Sequence, residues 1–331
     1  MTDESAGLHR VPRRKGFAYT NGSDRAVRDR STIERVESLR IPPAWSNVWI
    51  CRSPKGHLQA TGRDARGRKQ YRYHDRWDTA RDRDKYDRIL EFAHKLPTIR
   101  RRLTRDLKKP KLSREHVLAA VVRLLEGTLI RVGNDEYAKS NGSFGLTTLR
   151  NKHVQVRGEK IAFSFNGKSG KRHEIEVCDP KLAKTVRHCR DLPGSEVFQF
   201  KDEAGKIHDV TSQDVNNYLR EVAGEDFTAK DFRTWAGTVL AVQSLRKLGD
   251  AATKTAAKRQ LVQAIDLVAA QLGNTRAVCR GSYIHPAVLD AYLDQSLLRS
   301  CTSRGCRKAS RGLSVDEQSV LRWLERQRRK S

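Results

Sequence analysis

From residue 41 onward the chain carries two kinds of hydrophobic pattern in succession. Val48-Trp49-Ile50-Cys51, His57-Leu58-Gln59-Ala60-Thr61 and Lys69-Gln70-Tyr71-Arg72-Tyr73 are short strand-like segments. They are separated by the turn Ser53-Pro54-Lys55-Gly56 and the loop Gly62-Arg63-Asp64-Ala65-Arg66-Gly67. Together they predict a small antiparallel β domain. From about residue 78 the apolar period becomes helical. Asp84 to Leu96 reads as a helix stopped by Pro97, and Ser113 is placed to cap a helix that buries Val117, Val121, Leu124, Leu125 and Leu129. Val154 to Arg157, Ile161 to Phe165 and His173 to Val177 alternate again, with Gly158 and Asn166-Gly167 as turns. After Pro193 the pattern is helical to Leu324. Residues 1 to about 30 show no apolar period and read as a flexible basic arm. The predicted class is α+β. It comprises an arm (1–30), a β-rich N-terminal domain (31–87), a larger, mainly α-helical domain with a β-hairpin patch (88–298) and a basic tail (299–331).

Charge narrows the partner. Lys and Arg number 66 against 39 Asp and Glu, a formal charge of +27 over 331 residues. Such a field captures polyanions, of which nucleic acid is the commonest in a cell. No apolar run reaches the roughly 18–20 residues of a membrane-spanning helix, and MTDESAGLHR has no apolar signal region, so the expected location is the cytoplasm, at the nucleoid. The six cysteines form no CxxC pair and read as reduced thiols rather than a metal site. The basic residues cluster: eight against two acidic in 52–76, eight against one in 100–114, ten against three in 299–331. Three such runs favour a wrapped polyanion over a merely solvated face. The first run interleaves Arg68, Lys69 and Arg72 with Gln70, Tyr71 and Tyr73. On a strand the two tyrosines share a face, and Gln and Tyr can reach bases or sugars while the cations hold phosphates.

Five strings, in this order, resemble the motifs of type IB DNA topoisomerases. They are Leu125-Glu126-Gly127-Thr128-Leu129-Ile130-Arg131-Val132-Gly133-Asn134 with Phe144-Gly145-Leu146-Thr147-Thr148-Leu149; Phe165-Asn166-Gly167-Lys168; Lys230-Asp231-Phe232-Arg233-Thr234-Trp235; Leu272-Gly273-Asn274-Thr275; and Ser282-Tyr283-Ile284-His285-Pro286. Gly62-Arg63-Asp64 with Gly67-Arg68-Lys69-Gln70-Tyr71 fits the same family. The likeness runs from about residue 33 to 298 and is nearest to the small bacterial, poxvirus-like branch. It implies a tyrosine recombinase/type IB topoisomerase-like fold that closes on double-stranded DNA as a monomeric clamp. It also implies relaxation of supercoils through a 3′-phosphotyrosyl intermediate, with no metal or cofactor. Tyr283 would be the nucleophile, Arg131, Arg233 and Asn274 the donors to the phosphate, and Lys168 the acid for the leaving 5′ oxygen. Arg68, Lys69, Gln70, Tyr71 and Tyr73 would contact DNA.

Physical chemistry supports each transfer. Arg131 follows an apolar helical run that can hold its stem while the guanidinium forks a phosphate. Arg233 follows the capping signature Thr228…Asp231, which places it in the first turn of a helix whose N-terminus favours anions. Gly167-Lys168-Ser169 is not a nucleotide P-loop, because Ala162 stands where that motif needs glycine and the flanks read as strands. Lys168 needs nearby cations to become a competent acid, and Lys171 competes for that role. Asn274 cannot titrate and can only hydrogen-bond, and His285 lies close but outside the motif alignment. An ordinary tyrosine is only about 0.1% phenolate at pH 7, so Tyr283 needs a basic pocket. A tyrosine recombinase shares much of this chemistry but assembles several protomers on a specific site, and the GRD…GRKQY string argues against it. A non-catalytic DNA-packaging protein would use the basic runs alone. In every case binding should weaken steeply with salt.

Overall fold

The computed structural model describes residues 2–65, 67–302 and 312–329, and of residues 75–84 it describes the backbone alone. The chain divides into two compact units, Met1–Asp87 and Arg88–Ser331. The class is α+β.

The first unit is built on β1 (Leu8–Pro12), β2 (Phe17–Asn21), α1 (Arg30–Ser38), β3 (Ser46–Ile50), β4 (Leu58–Arg63) and β5 (Lys69–Tyr73). The strands form one sheet in the order β2-β1-β3-β4-β5, with every pair antiparallel. Period-two alternation sorts the side chains of β3, and a register irregularity between Leu58 and Ala60 turns these two residues of β4 to opposite faces. Leu8, Val48, Ile50 and Ala60 pack with Val36 of α1 in one cluster, whereas Trp49, Cys51 and Leu58 pack with Tyr73 in another. The segment read as a flexible arm carries β1 and β2. Its apolar signal is weak because few of its side chains are buried. The Arg10 guanidinium anchors the segment by donating to the carbonyls of Ile41, Pro42 and Trp45 at 3.1, 3.0 and 2.6 Å.

The second unit begins within α2 (Asp75–Asp106) and continues through α3 (Arg114–Thr128), α4 (Asp135–Asn141), β6 (Val154–Arg157), β7 (Lys160–Asn166) and β8 (Arg172–Cys178). Then follow α5 (Pro180–Arg190), β9 (Gln199–Lys201), β10 (Ile207–Asp209), α6 (Ser212–Ala223) and α7 (Ala229–Leu248). The last are α8 (Lys254–Leu272), α9 (Arg276–Ser282), α10 (Pro286–Leu293), α11 (Leu297–Ser300) and α12 (Val315–Arg328). The buried helix α3 packs against α5, α6 and α7. It starts after Ser113 as expected, but the Ser113 hydroxyl makes no capping bond.

Three expectations give way here. Pro97 lies inside α2 instead of ending it. A helix-interior proline costs about 3 kcal/mol. Ile99 and Leu103 beyond it are completely buried, and each such side chain is worth roughly 1.5–3 kcal/mol, so packing carries the helix through. The strand pair β9–β10 interrupts the region read as wholly helical. The β7–β8 turn is not the two-residue Asn166-Gly167 form. Asn166 is the last rung, opposite Arg172, and the chain reverses through residues 167–171, with Ser169 and Gly170 at φ +65° and +72°.

Part of the region read as a basic tail is α12; residues 303–311 of that tail, with Cys306, and residues 330–331 lie outside the described residues. The helix docks through Val320, Trp323 and Leu324 and through Glu317, to which Arg100 of α2 donates twice (2.9 and 2.8 Å) and Trp235 of α7 once (3.2 Å). Arg100 also pairs with Glu126 of α3 at 2.6 Å. Burial alone would raise the Glu317 pKa, but the Arg100 bonds and charge outweigh it and hold the carboxyl below the glutamate range. The folded value is depressed, so the stabilisation is in place above the ordinary glutamate value of 4.5 and is lost as pH falls through the folded value. Glu317→Gln is expected to lose about 2–3 kcal/mol at pH 7. In urea unfolding the gap to wild type narrows as pH is taken below the ordinary glutamate value and through the depressed folded one.

Candidate active site

Arg131 lies in the segment that follows α3. That helix ends with Leu129 in the left-handed region at φ +57°, a conformation costing an ordinary residue of order 1–3 kcal/mol. The turn directs the chain across residues 144–148. Leu146 N–H donates to the Arg131 carbonyl (2.9 Å) and Thr147 N–H to that of Val132 (2.7 Å). Gly133 and Gly145 meet backbone to backbone, and a Cβ on Gly145 would lie 2.6 Å from the Arg131 carbonyl oxygen. This packing gives the paired glycine strings of the first motif their physical reason.

Arg233 is the fifth residue of α7 and is 3% exposed. It therefore stands past the first turn, and its guanidinium does not share the anion-favouring end of its own helix. Instead it donates to the carbonyl of Leu129, just beyond α3, and to that of Leu272, the last residue of α8 (2.7 Å for the latter). Two helix C-termini, each with unpaired carbonyls and partial negative charge, hold one cation. The Thr228–Asp231 signature does form at the start of α7, with the Thr228 N–H and hydroxyl donating to Asp231 at 2.8 and 3.0 Å.

The end of α8 also brings Asn274 into place. Gly273 adopts φ +60°, and the Asn274 N–H bonds back to the Ala269 carbonyl (3.0 Å), a Schellman closure. This fixes the Asn274 backbone. One Arg131 N–H donates to Asn274 Oδ1 and also reaches the Gly273 carbonyl at 3.3 Å. Tyr283 closes α9, where its N–H donates to the Cys279 carbonyl (3.0 Å). One turn beyond Arg233 on α7, Gly237 allows close approach, since a Cβ there would lie 2.6 Å from the Tyr283 carbonyl oxygen. His285 N–H donates to Thr238 Oγ1 (3.1 Å), and its Nδ1 caps α10. The Arg233 guanidinium lies 5.3 Å from the centre of the Tyr283 ring.

The electrostatics of this cluster are unbalanced. Burial, and then the charge of Arg233, push the Arg131 pKa down; burial pushes that of Arg233 down against the opposing pull of Tyr283. Among the described residues neither guanidinium pairs with a carboxylate. Arg233 Nε and Asn274 Nδ2 are buried donors with no oxygen or nitrogen acceptor, and the Cys279 thiol beside Asn274 is only a weak acceptor. Buried charges and donors left in this state cost several kcal/mol. A tetrahedral anion would supply both the charge and the acceptors.

Arg131, Arg233, Asn274 and Tyr283 therefore come together. Lys168 does not join them. It is exposed in the β7–β8 turn, and among the described residues it makes no hydrogen bond to any of the four. The charge of Lys171 is felt at Cys279 and His173. The sequence reading passed over three groups that line the cluster: Cys279, the Gly237–Thr238 step of α7 and His173. Cys279 and Gly237 stand four residues from Tyr283 and Arg233 respectively, a spacing that could have flagged them. His173 reaches the site across a strand and leaves no such signal.

In the first unit, Lys69, Tyr71 and Tyr73 share one face of β5. The tyrosine rings stack at 6.1 Å, Lys69 Nζ stands 5.7 Å from the Tyr71 ring centre, and Tyr71 is 49% exposed. Lys69 pairs with Asp3 at 2.6 Å. Arg68 and Gln70 instead turn to Asp64, at 2.7 and 2.9 Å. The five candidates thus do not form one surface.

Residues 69–301 match the family described as the catalytic core of eukaryotic DNA topoisomerase I, which is more than half the chain. The chain belongs to the type IB DNA topoisomerase family. Residues 16–64 match the N-terminal domain of bacterial DNA topoisomerase IB. The chain is 34% identical to a DNA topoisomerase 1B of Acanthamoeba polyphaga mimivirus over 284 residues, 83% of each chain. It is 24% identical to the DNA topoisomerase 1B of Vaccinia virus over 297 residues, 86% of this chain and 89% of that one. A DNA topoisomerase 1 of Schizosaccharomyces pombe is 26% identical over 171 residues, half of this chain and 20% of its own. The helix α12 lies beyond the matched catalytic core of the topoisomerase family. No described helix is long and apolar enough to cross a membrane.

Proposed function

We propose that this chain, as a monomer, relaxes supercoiled double-stranded DNA by transient cleavage of one strand. The observation that carries the reading is the pair of guanidiniums, without a carboxylate partner among the described residues, set beside Tyr283 and two unsatisfied donors. The Tyr283 phenol gives its proton to solvent and its oxygen attacks phosphorus, the bond from phosphorus to the 5′ oxygen breaks as that oxygen takes up a proton, and a 3′-phosphotyrosyl ester forms. Arg131, Arg233 and Asn274 Nδ2 donate to the non-bridging oxygens, where charge gathers in the transition state. The freed 5′ end turns about the intact strand and then attacks the ester to reseal it. One phosphoester replaces another, so no ATP is consumed, and the guanidiniums supply the charge that Mg²⁺ would otherwise bring. The Lys69–Tyr71–Tyr73 face offers a cation and stacked rings to the duplex. Relaxation of plasmid in EDTA without ATP tests the reading, and failure of a DNA-binding preparation to relax it would refute it.

The leaving 5′ oxygen needs a proton, and Lys168 is the assigned donor, with Lys171 as its rival. Lys168→Ala is expected to slow cleavage by about 10²–10⁴-fold, the usual scale of acid catalysis. A duplex with a 5′-thio leaving group should restore the rate, because a thiolate leaves without protonation. Rescue of Lys171→Ala instead would transfer the role to that residue.

Asn274→Asp is expected to supply the missing anion from within. The carboxylate would pair with Arg131, repel the phosphate and slow cleavage by at least about 100-fold, with no loss in thermal midpoint. Labelled-duplex cleavage and thermal melting read the two effects.

A further inference from the structure

His173 is the third residue group that the motifs omit, and its setting is unusual. It lies on β8 opposite Phe165, and the two rings stack at 5.1 Å with an interplanar angle of 11°. Its edge meets two glycines from different elements. A Cβ on Gly167, just before Lys168, would lie 2.7 Å from the imidazole Cδ2 and Nε2. A Cβ on Gly273, just before Asn274, would overlap Cε1. The ring therefore fills the space between the turn that carries Lys168 and the α8 terminus that carries Asn274. Gly273 is also where Arg131 donates to the backbone, so the same contact reaches the Arg131 guanidinium.

We propose that His173 is a positioning residue for strand cleavage: its imidazole is the spacer that sets the lysine turn against the Asn274–Arg131 pair. The inference rests on the active-site reading above. Displacement of a reacting group by about 1 Å can cost on the order of 10²-fold in rate, and the spacer controls a separation of that kind. The ring works as a neutral body. The charges acting most strongly on it are those of Arg131, Lys171 and Arg233, all cationic, and burial together with these charges holds the imidazole below its ordinary value of 6.5. Protonation in acid would add a fourth cation and push against both arginines.

The test is single-turnover cleavage of a labelled duplex at saturating enzyme, with DNA affinity and thermal midpoint measured in parallel. His173→Ala is expected to slow cleavage by about 10–100-fold with affinity within about threefold of wild type; His173→Phe, which keeps a flat ring against Phe165, should recover most of the rate. The ratio of wild-type to His173→Phe rate should fall as pH is lowered beneath 6.5 and through the depressed imidazole value, because phenylalanine cannot gain charge. Gly167 has an ordinary backbone (φ −91°), so Gly167→Ala disturbs the contact without strain. It should slow cleavage alone yet add nothing in the His173→Ala background, a non-additive cycle. Full cleavage by His173→Ala, or additive losses in the cycle, would overturn the proposal. If the wild-type enzyme formed no adduct on Tyr283, the active-site reading itself would fail, a separate result.

Discussion

Tyr283→Phe is expected to bind DNA and fold as the wild type does, yet to cleave no strand. The residue is held by its backbone and ring: the N–H to Cys279, the close approach of Gly237 and the Arg233 guanidinium beside the ring. Phenylalanine keeps all three and removes the oxygen together with its bond to the Arg233 guanidinium. Loss of a covalent nucleophile acts on the scale of four or more orders of magnitude. Detergent-quenched reactions resolved on denaturing gels should show the loss as disappearance of the protein–DNA adduct. An adduct formed within 100-fold of the wild-type rate would place the nucleophile elsewhere.

Arg233→Ala carries the second largest expected effect, in stability as well as rate. The guanidinium closes the ends of α3 and α8 through Leu129 and Leu272. Its removal leaves two buried carbonyls unbonded, at about 1–3 kcal/mol each. It also deletes a donor to the transition state, worth about 10²–10³ in rate. Lysine does not replace it, because a single ammonium cannot span both carbonyls and the phosphate together. Arg233→Lys should therefore regain charge and little activity. Arg131→Ala should behave differently. Its removal relieves repulsion between the two cations and releases Asn274 Oδ1. The double variant Arg131→Ala/Asn274→Ala is accordingly expected to lose less than the sum of the single losses. Unfolding midpoints and single-turnover rates for these four variants and for Asn274→Ala distinguish these outcomes.

The contrast between the two arginines shows what a sequence can and cannot disclose. The strings around Arg131, Arg233, Asn274 and Tyr283 mark the residues, because each motif is a short run whose chemistry is local. The partners are not local. Arg233 stands five residues into α7, yet it is held by carbonyls 104 and 39 residues away. Its capping signature correctly marks the helix start but suggests the wrong end of the helix dipole. Pro97 punctuates the sequence but not the structure, since the burial of Ile99 and Leu103 is a tertiary effect. β1 and β2 were hidden because a polar strand held by Arg10 and a few buried side chains leaves little hydrophobic period. Asn166-Gly167 marked the right hairpin and the wrong turn, because the reversal uses Ser169 and Gly170. His173 carried no local signal at all, and only the register of β7 against β8, with two glycine contacts, brings it to the site.

The central claim is a covalent bond between Tyr283 and a DNA 3′ phosphate. Digestion of the detergent-trapped adduct, followed by mass mapping of the peptide that retains nucleotide, tests it most directly. The expected result is one modified peptide, with the nucleotide on Tyr283 and a free 5′ hydroxyl on the released strand. Modification of another residue, or a 5′-linked nucleotide, would contradict the account.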